Sequence, residues 1–517
     1  MKSAKEYLLG VDIGTSATKG ILVDTTGEIA GTRTSGYPLY QPHNGWAEQD
    51  PLDWKNAVFQ VIKELACLDQ IQKNQIKGLA LSGQMHGLVL LDEAGTPLRN
   101  AMIWCDQRSK EQVNTMLSLM SVEEWMSITG NPPLAAWTAA KIMWIKKYEP
   151  QIYEKTRHIL LPKDYIRYLL TGEFATDVSD ASGMQLMDIQ KRDWSQEVLK
   201  RLEIDPSLLG KIYESQDRTG SLKREVAAQL HLSINTVVAA GASDNAAAAV
   251  GTGVVKDGDA LVSLGTSAVI CTHLETYNPI PDGSLHLCCS AVKGCYHTMG
   301  GPQAAGLSLE WFLRNFCHEY QLQAEKNGVD VYDVINETAG KIPAGSNRLI
   351  YLPFLMGERT PHMEPNYRGA FIGLSAIHTK ADLIRAIMEG VGYSIKDCQE
   401  ILKDIEISIT AVRLCGGGSK SPVWRQIMAD LLNCDIFSLK QDEGPALGCA
   451  ILAGVSAGMF RDVREACASL CIADRIAVTE QNTATKYKKY HALYQNIYQN
   501  LKGCYRILAE IDTNERK

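Results

Sequence analysis

Nowhere along this 517-residue chain is there a stretch of the roughly 18–20 uninterrupted apolar residues that a membrane-spanning helix needs. Long runs of Lys or Arg are also missing, and the formal net charge is −7. That combination argues against a nucleic-acid binder, which needs a basic face to track phosphates. A phosphorylated small ligand stays possible, because it needs only local donors. Fourteen cysteines are present, among them Cys67, Cys105, Cys271, Cys317, Cys398, Cys415 and Cys504. No Cys-x-x-Cys pair or histidine spacing completes a zinc site, so they read as reduced, mostly buried small side chains. The opening "MKSAKEYLLGVDIG" lacks the apolar core and small-residue site of a cleaved signal, and a cytoplasmic protein is expected. Two nucleotide fingerprints are absent as well: there is no Gly-x-x-x-x-Gly-Lys-Ser/Thr run and no strand-anchored Gly-x-Gly-x-x-Gly.

What is there describes an ordinary globular chain, 45% apolar and 21% charged. It is too long for one core, and about 150 residues per domain suggests two to four units. Tyr7–Ile13 reads as a strand, Gly14-Thr15-Ser16 as a tight turn and Ala17–Val23 as a second strand. Asp50-Pro51 opens a helix, with Asp as cap and Pro in the first turn. Trp54, Val58, Val61, Ile62 and Leu65 then recur at helical spacing. A run over Ile76–Leu81 leads into "SGQMHG" and a further strand, "LVLLD". The second half repeats this logic with "ALVSLGTSAVICTH", a helix over Lys380–Ile405, and "AVRLCGGGSKSPVWRQIMADLL" as strand, three glycines and helix. "EGPALGCAILAG" is a closing helix of small residues. Mixed sheets with flanking helices in two halves fit these patterns.

The motif that repeats is "VDIGTSATKG" at 11–20 and "VSLGTSAVIC" at 262–271. A Gly-Thr-Ser turn offers successive backbone N–H groups, two hydroxyls and a glycine that lets a ligand approach, which together form an oxyanion cradle. One copy is ordinarily just a turn. Two in matching contexts point to a polyphosphate clamp through Thr15, Ser16, Gly265 and Thr266. Asp12 precedes only the first copy and would hold Mg²⁺ bridging the phosphates, whereas Ser263 marks a copy handling phosphate without metal. A turn-capping carboxylate is the plainer alternative for Asp12. Gly416-Gly417-Gly418, between a strand and a helix, offers bare backbone to a nucleotide or simply allows tight packing. In "AGASDNAAAAVG", Asp244 is either a helix cap or an accessible base that takes a hydroxyl proton, with Asn245 orienting the acceptor. "SGQMHG" and "WCDQR" add polar groups and an aromatic suited to a polyol, although His86 and Trp104 each have an ordinary structural reading.

Taken together and in order, "GVDIGTSATKGILVD", "NGWAEQDPLDW", "SGQMHGLVLLD", "IWCDQR", "TAAKIMWI", "LLPKDYIRYLLTGEFATDVSDASG", "GASDNAAAAVGTG", "SLGTSA", "LPFLMGERTPH", "LCGGGSKSPVWRQIMAD" and "GPALGCAILAG" resemble the FGGY family of carbohydrate kinases over essentially the whole chain. "SGQMHG" and "LPKDY…TGEFA…SDASG" resemble members acting on xylulose rather than glycerol. The resemblance implies an α/β protein of two actin-like, ribonuclease-H-type domains flanking a catalytic cleft. Residues 1–245 would bind sugar and 246–517 would bind ATP. It implies ATP-dependent phosphorylation of D-xylulose at the 5-hydroxyl, with ATP and Mg²⁺ as cofactors. Asp244 would be the base and Asp12 the metal-associated carboxylate. Met85, His86, Trp104, Asp106 and Asn245 would lie at the sugar, Thr15, Ser16, Gly265 and Thr266 at the phosphates, and Gly417, Gly418 and Ser421 at the nucleotide. A sugar and ATP are the expected partners, without nucleic acid or membrane, and a homodimer is suggested by relatives alone. Another kinase of the family, acting on ribulose, gluconate, fuculose or glycerol, stays open at this stage. So does a non-transferring actin-like ATPase.

Overall fold

The computed structural model describes residues 5–69, 71–358, 360–440 and 443–511, and Arg359 of "LPFLMGERTPH" lies outside them. The chain divides into two compact units. The first gathers Met1–Lys256, His273–His297 and Glu443–Ile472; the second gathers Asp257–Thr272, Thr298–Asp442 and Ala473–Lys517. Compactness therefore does not follow a single cut after residue 245.

In the first unit the chain forms β1 (Tyr7–Ile13), β2 (Ala17–Asp24), β3 (Ile29–Gly36), α1 (Pro51–Ala66), β4 (Ile76–Gly83), α2 (Pro162–Thr171), α3 (Val178–Ser182), β5 (Arg218–Ser221), β6 (Val237–Ala239), β7 (Ala242–Ser243) and α4 (Asp244–Gly251). The sheet order is β5-β6-β4-β1-β2-β3, with β7 also on β4. The β1–β2 hairpin is antiparallel, while β1 and β4 run parallel. Asp50 caps α1 as its sequence indicates, its carboxylate accepting from Leu52 N at 2.8 Å. Trp54, Val58, Val61, Ile62 and Leu65 are all buried on one stripe, and each such side chain contributes about 1.5–3 kcal/mol by leaving water.

The small-residue helix Gly444–Ser456 belongs to this first unit rather than closing the second. It approaches its neighbours at backbone distance. A Cβ at Gly10 of β1 would lie 1.9 Å from Ala446 O, and one at Gly448 would lie 1.9 Å from Ala247 O in α4. Small side chains on both partners are what that contact requires.

The second unit contains β8 (Asp259–Leu264), β9 (Ala268–Leu274, in this unit through Thr272), α5 (Gly306–Phe316), α6 (Val331–Gly340), α7 (Lys380–Asp404), β10 (Ala411–Cys415), α8 (Pro422–Leu432), β11 (Asp435–Leu439), β12 (Ala473–Ala477) and α9 (Gln481–Glu510). Its strands run β9-β8-β10-β11-β12. Here too an antiparallel hairpin, β8–β9, leads to two parallel neighbours and then an antiparallel edge. The first unit shows the same series as β2-β1-β4-β6-β5. The duplicated Gly-Thr-Ser turn is therefore one visible part of a duplicated actin-like sheet.

Candidate active site

Asp12 is the penultimate residue of β1, and its register partner on β4 is Ser82. The Ser82 hydroxyl donates to Asp12 Oδ1 at 2.7 Å. Burial raises the Asp12 pKa, while Ser82 and the Lys19 charge pull it back. Ser263 holds the equivalent place in β8, with Val269 and Cys415 as its neighbours. The acidic residue thus differs between otherwise matching hairpins.

The two turns are held from behind through their carbonyls, by different means. In the first, the Tyr37 hydroxyl donates to Gly14 O at 2.6 Å, the Gln49 amide to Thr15 O at 2.7 Å and Tyr37 N to Ser16 O at 3.2 Å. In the second, Gly306 N donates to Gly265 O at 2.9 Å, while Ala305 N and Leu307 N donate to Thr266 O, each at 3.0 Å. A trans peptide points its N–H opposite its C=O. Holding the carbonyls therefore turns the next amides away from the protein donors, as an anion cradle requires. Trp104 joins the first turn, its indole N–H donating to Thr15 Oγ1 at 2.9 Å.

Asp244 begins α4, one residue after the cap Ser243. Its Oδ1 accepts from Asn245 N at 2.8 Å and from the Asn245 amide at 3.0 Å. Burial, and next the charge of Asp12, push its carboxyl up to about 7. That value suits a proton acceptor near neutrality. The Asn245 amide also lies 3.5 Å from Met85 Sδ, so Met85, Asp244 and Asn245 form one cluster. His86 follows in the left-handed region at φ 64°, a strained choice for a non-glycine residue and a common mark of functional sites. Its Nδ1 lies 2.8 Å from Gly183 O, and its ring stacks on Trp137 at 4.4 Å. The buried Lys141 donates to His86 O at 2.7 Å, and burial lowers its pKa to about 7.

Asp106 is placed differently from the sugar contact expected of it. It is fully buried, its Oδ2 accepting from Ala47 N at 2.7 Å and both oxygens binding the Arg108 side chain. With both oxygens engaged by protein, Asp106 ties the Trp104 loop to the segment before α1 at Ala47.

On the second unit, Gly265, Thr266, Gly417, Gly418 and Ser421 all line one cavity of about 480 Å³. A Cβ at Gly417 would meet nothing within 4 Å, whereas one at Gly418 would lie 2.8 Å from Leu264 Cβ. The three-glycine run therefore serves both readings: Gly418 allows close packing and Gly417 leaves bare backbone open. Ser421 caps α8, accepting from Trp424 N at 3.1 Å and donating to Asn336 Oδ1. Asn336, Tyr332 and Met388 also line the cavity. Tyr332 and Asn336 come from α6, which carries no motif, and Met388 comes from α7, whose spacing marks a helix but not which residue faces a cavity. Tyr37, Gln49, Ser82 and Trp137 were likewise missed as supports, although Ser82 lies inside "SGQMHG".

Among the described residues, no helix is long and apolar enough to cross a membrane. A family model for the N-terminal domain of the FGGY carbohydrate kinases matches residues 7–251, and one for the C-terminal domain matches 260–457. A xylulose kinase of Bacillus subtilis (strain 168) is 37% identical, covering 98% of this chain and 100% of its own. A gluconokinase of the same strain is 30% identical, covering 98% of each. The solved structure of ligand-bound xylulose kinase from Lactobacillus acidophilus superimposes with a TM-score of 0.89 at 28% identity, covering 97% of this chain and 100% of that one. With both family domains matched in order and the paired hairpin sheets in place, the chain belongs to the FGGY family of carbohydrate kinases.

Proposed function

We propose that this protein transfers the γ-phosphoryl group of ATP to the 5-hydroxyl of D-xylulose. The observation that carries the reading is the carboxylate cluster of the first unit, where Asp244 is held near pKa 7 beside Asn245 and Met85. Phosphoryl transfer asks the protein for positioning, charge stabilisation and one carboxylate to accept the hydroxyl proton. Asp244 is the base. Met85, His86, Trp104 and Asn245 surround the sugar, and Asp106 fixes the loop that carries Trp104. Thr15, Ser16, Gly265 and Thr266 receive phosphate oxygens on their amides and hydroxyls. Gly417, Gly418 and Ser421 face the nucleotide. The strong match to a xylulose kinase and the weaker one to a gluconokinase support a ketopentose over an aldonate.

Asp12 is the residue that would hold Mg²⁺. Its donor chemistry fits, since a half-buried carboxylate whose charge acts on a second carboxylate attracts a hard divalent cation. When bound, such an ion neutralises phosphate charge. The soluble setting suggested by composition points to the cytoplasm.

The test is ADP release measured with D-xylulose, L-ribulose, gluconate, L-fuculose and glycerol in parallel, with the product located by phosphorus NMR. D-xylulose is expected to give the highest kcat/KM and a 5-phosphate. ATP turnover that no sugar stimulates would instead indicate a non-transferring ATPase.

A further inference from the structure

The segment "LPKDY…SDASG" makes no direct contribution to the chemistry described above, yet it builds an unusual interior. Lys163, fully buried near the start of α2, reaches Asp164 at 2.7 Å, Asp177 at 2.9 Å and Asp180 at 3.5 Å. All three carboxylates are fully buried, and Arg167 lies 3.8 Å from Asp164. Buried ionic clusters are seldom more stable than apolar packing of the same volume, so stability alone does not explain this one.

Its connections lead to Asp244. Asp177 Oδ2 accepts from the Ser179 hydroxyl at 2.6 Å and from Ser179 N at 2.9 Å. The Ser179 oxygen in turn accepts from Ser243 N at 2.9 Å. Ser243 is the cap of α4, and Asp244 is that helix's first residue. Lys163 also abuts the strand that carries Ser82: a Cβ at Gly83 would lie 3.1 Å from Lys163 Cβ.

We infer that Lys163, Asp177 and Ser179 are positioning residues for the phosphoryl-transfer reaction, fixing the first turn of α4 so that Asp244 meets the acceptor hydroxyl. The inference rests on Asp244 being the base. Asp12 is the charge that acts on Asp244, and Asp180 is a second carboxyl within electrostatic reach of it. Burial keeps Asp180 protonated well above the ordinary carboxylate range, which spares Asp244 a further negative neighbour.

Ser179→Ala cuts the link at its only hydroxyl. Ser215→Ala is the control, because its hydroxyl donates to the same Asp177 oxygen at 2.7 Å without reaching Ser243. Ser179→Ala is expected to lower kcat about 10–100-fold, the scale of a small misplacement. Sugar KM should change less than about threefold, and the acid limb of kcat should move to higher pH, because the helix amides no longer favour the ionised carboxylate. Ser179→Cys, similar in size but a weak acceptor, should fall between and covers the case in which Ser179→Ala misfolds. In an Asp244→Asn background, Ser179→Ala should add almost nothing. Equal losses in Ser179→Ala and Ser215→Ala, kcat within twofold of the parent, or multiplicative losses with Asp244→Asn would each overturn the inference. Undiminished turnover in Asp244→Asn alone would instead overturn the base assignment beneath it.

Discussion

Replacing Asp244 by Asn should destroy activity and stabilise the fold, and the pH dependence of that stabilisation can be worked out from the structure. The carboxyl is raised from 3.8 to about 7, first by burial and then by Asp12. A group whose folded pKa lies above its unfolded pKa contributes full stability below the unfolded value. It loses that contribution as pH rises through the folded value. At pH 8 the ionised Asp244 therefore costs the folded state up to about 4 kcal/mol, taking ~1.36 kcal/mol per pKa unit. Halving this for partial solvent access leaves about 2 kcal/mol. Asn keeps the shape and still accepts from Asn245 N, but carries no charge. Thermal unfolding in EDTA should thus show Asp244→Asn melting a few degrees above the parent at pH 8. The gap should shrink to less than half by pH 5 and close only below about pH 4, where the unfolded carboxyl is protonated too. In the coupled assay kcat should fall about 10²–10⁴-fold. A variant no more stable at pH 8, or a gap that ignores pH, would refute the claim that this carboxylate is held ionised at a cost.

Asp12→Asn removes the like charge facing Asp244, so the acid limb of its residual kcat/KM should move below pH 7 while the Mg²⁺ requirement rises. An unmoved limb, read from a pH series at saturating ATP, would separate the two carboxylates. Gly417→Ala meets no protein atom within 4 Å. It should leave the melting temperature unchanged and raise ATP KM severalfold, whereas an unchanged KM would place the nucleotide elsewhere. Gly306→Ala puts a Cβ 2.5 Å from Gly265 O and should displace the second turn. ATP KM should rise while sugar binding by calorimetry without ATP stays as in the parent. Lys141→Met removes the donor to His86 O, and loss of a charge-assisted hydrogen bond of about 1.5–3 kcal/mol should raise sugar KM roughly tenfold or more in steady-state kinetics.

Local chemistry made much of this protein legible in its sequence. Alternation and turn residues marked β1, β2, β8 and β9, helical spacing marked α1 and α7, and the repeated Gly-Thr-Ser turn disclosed a duplicated unit before any coordinates. Asp12, Asp244 and Asn245 stood out by their places, before one copy of the repeated turn and at the start of an alanine-rich helix, although both aspartates also had capping roles open to them. These signals are short-range, set by φ/ψ preference and by the faces of single elements.

Other features depended on residues far apart in the chain. Asp106 looked like a ligand-facing acid, but its orientation is set by Arg108 and by Ala47 N, 59 residues away. The run "GPALGCAILAG" announced close packing, yet only the fold specified Gly10 and Ala247 as its partners and so placed this late helix in the first unit. Asn336 enters the cavity lined by Gly417 and Ser421 from a helix with no motif. The pKa of Asp244 arises from burial and from Asp12, 232 residues earlier in the chain. The sequence by itself therefore determined many of the elements, the duplication and the candidate side chains, because those follow from local conformation and chemical type. The tertiary structure alone decided which carboxyl has its pKa raised toward neutrality and which is locked in an internal ion pair, because desolvation and Coulomb interactions depend on distance in space rather than along the chain.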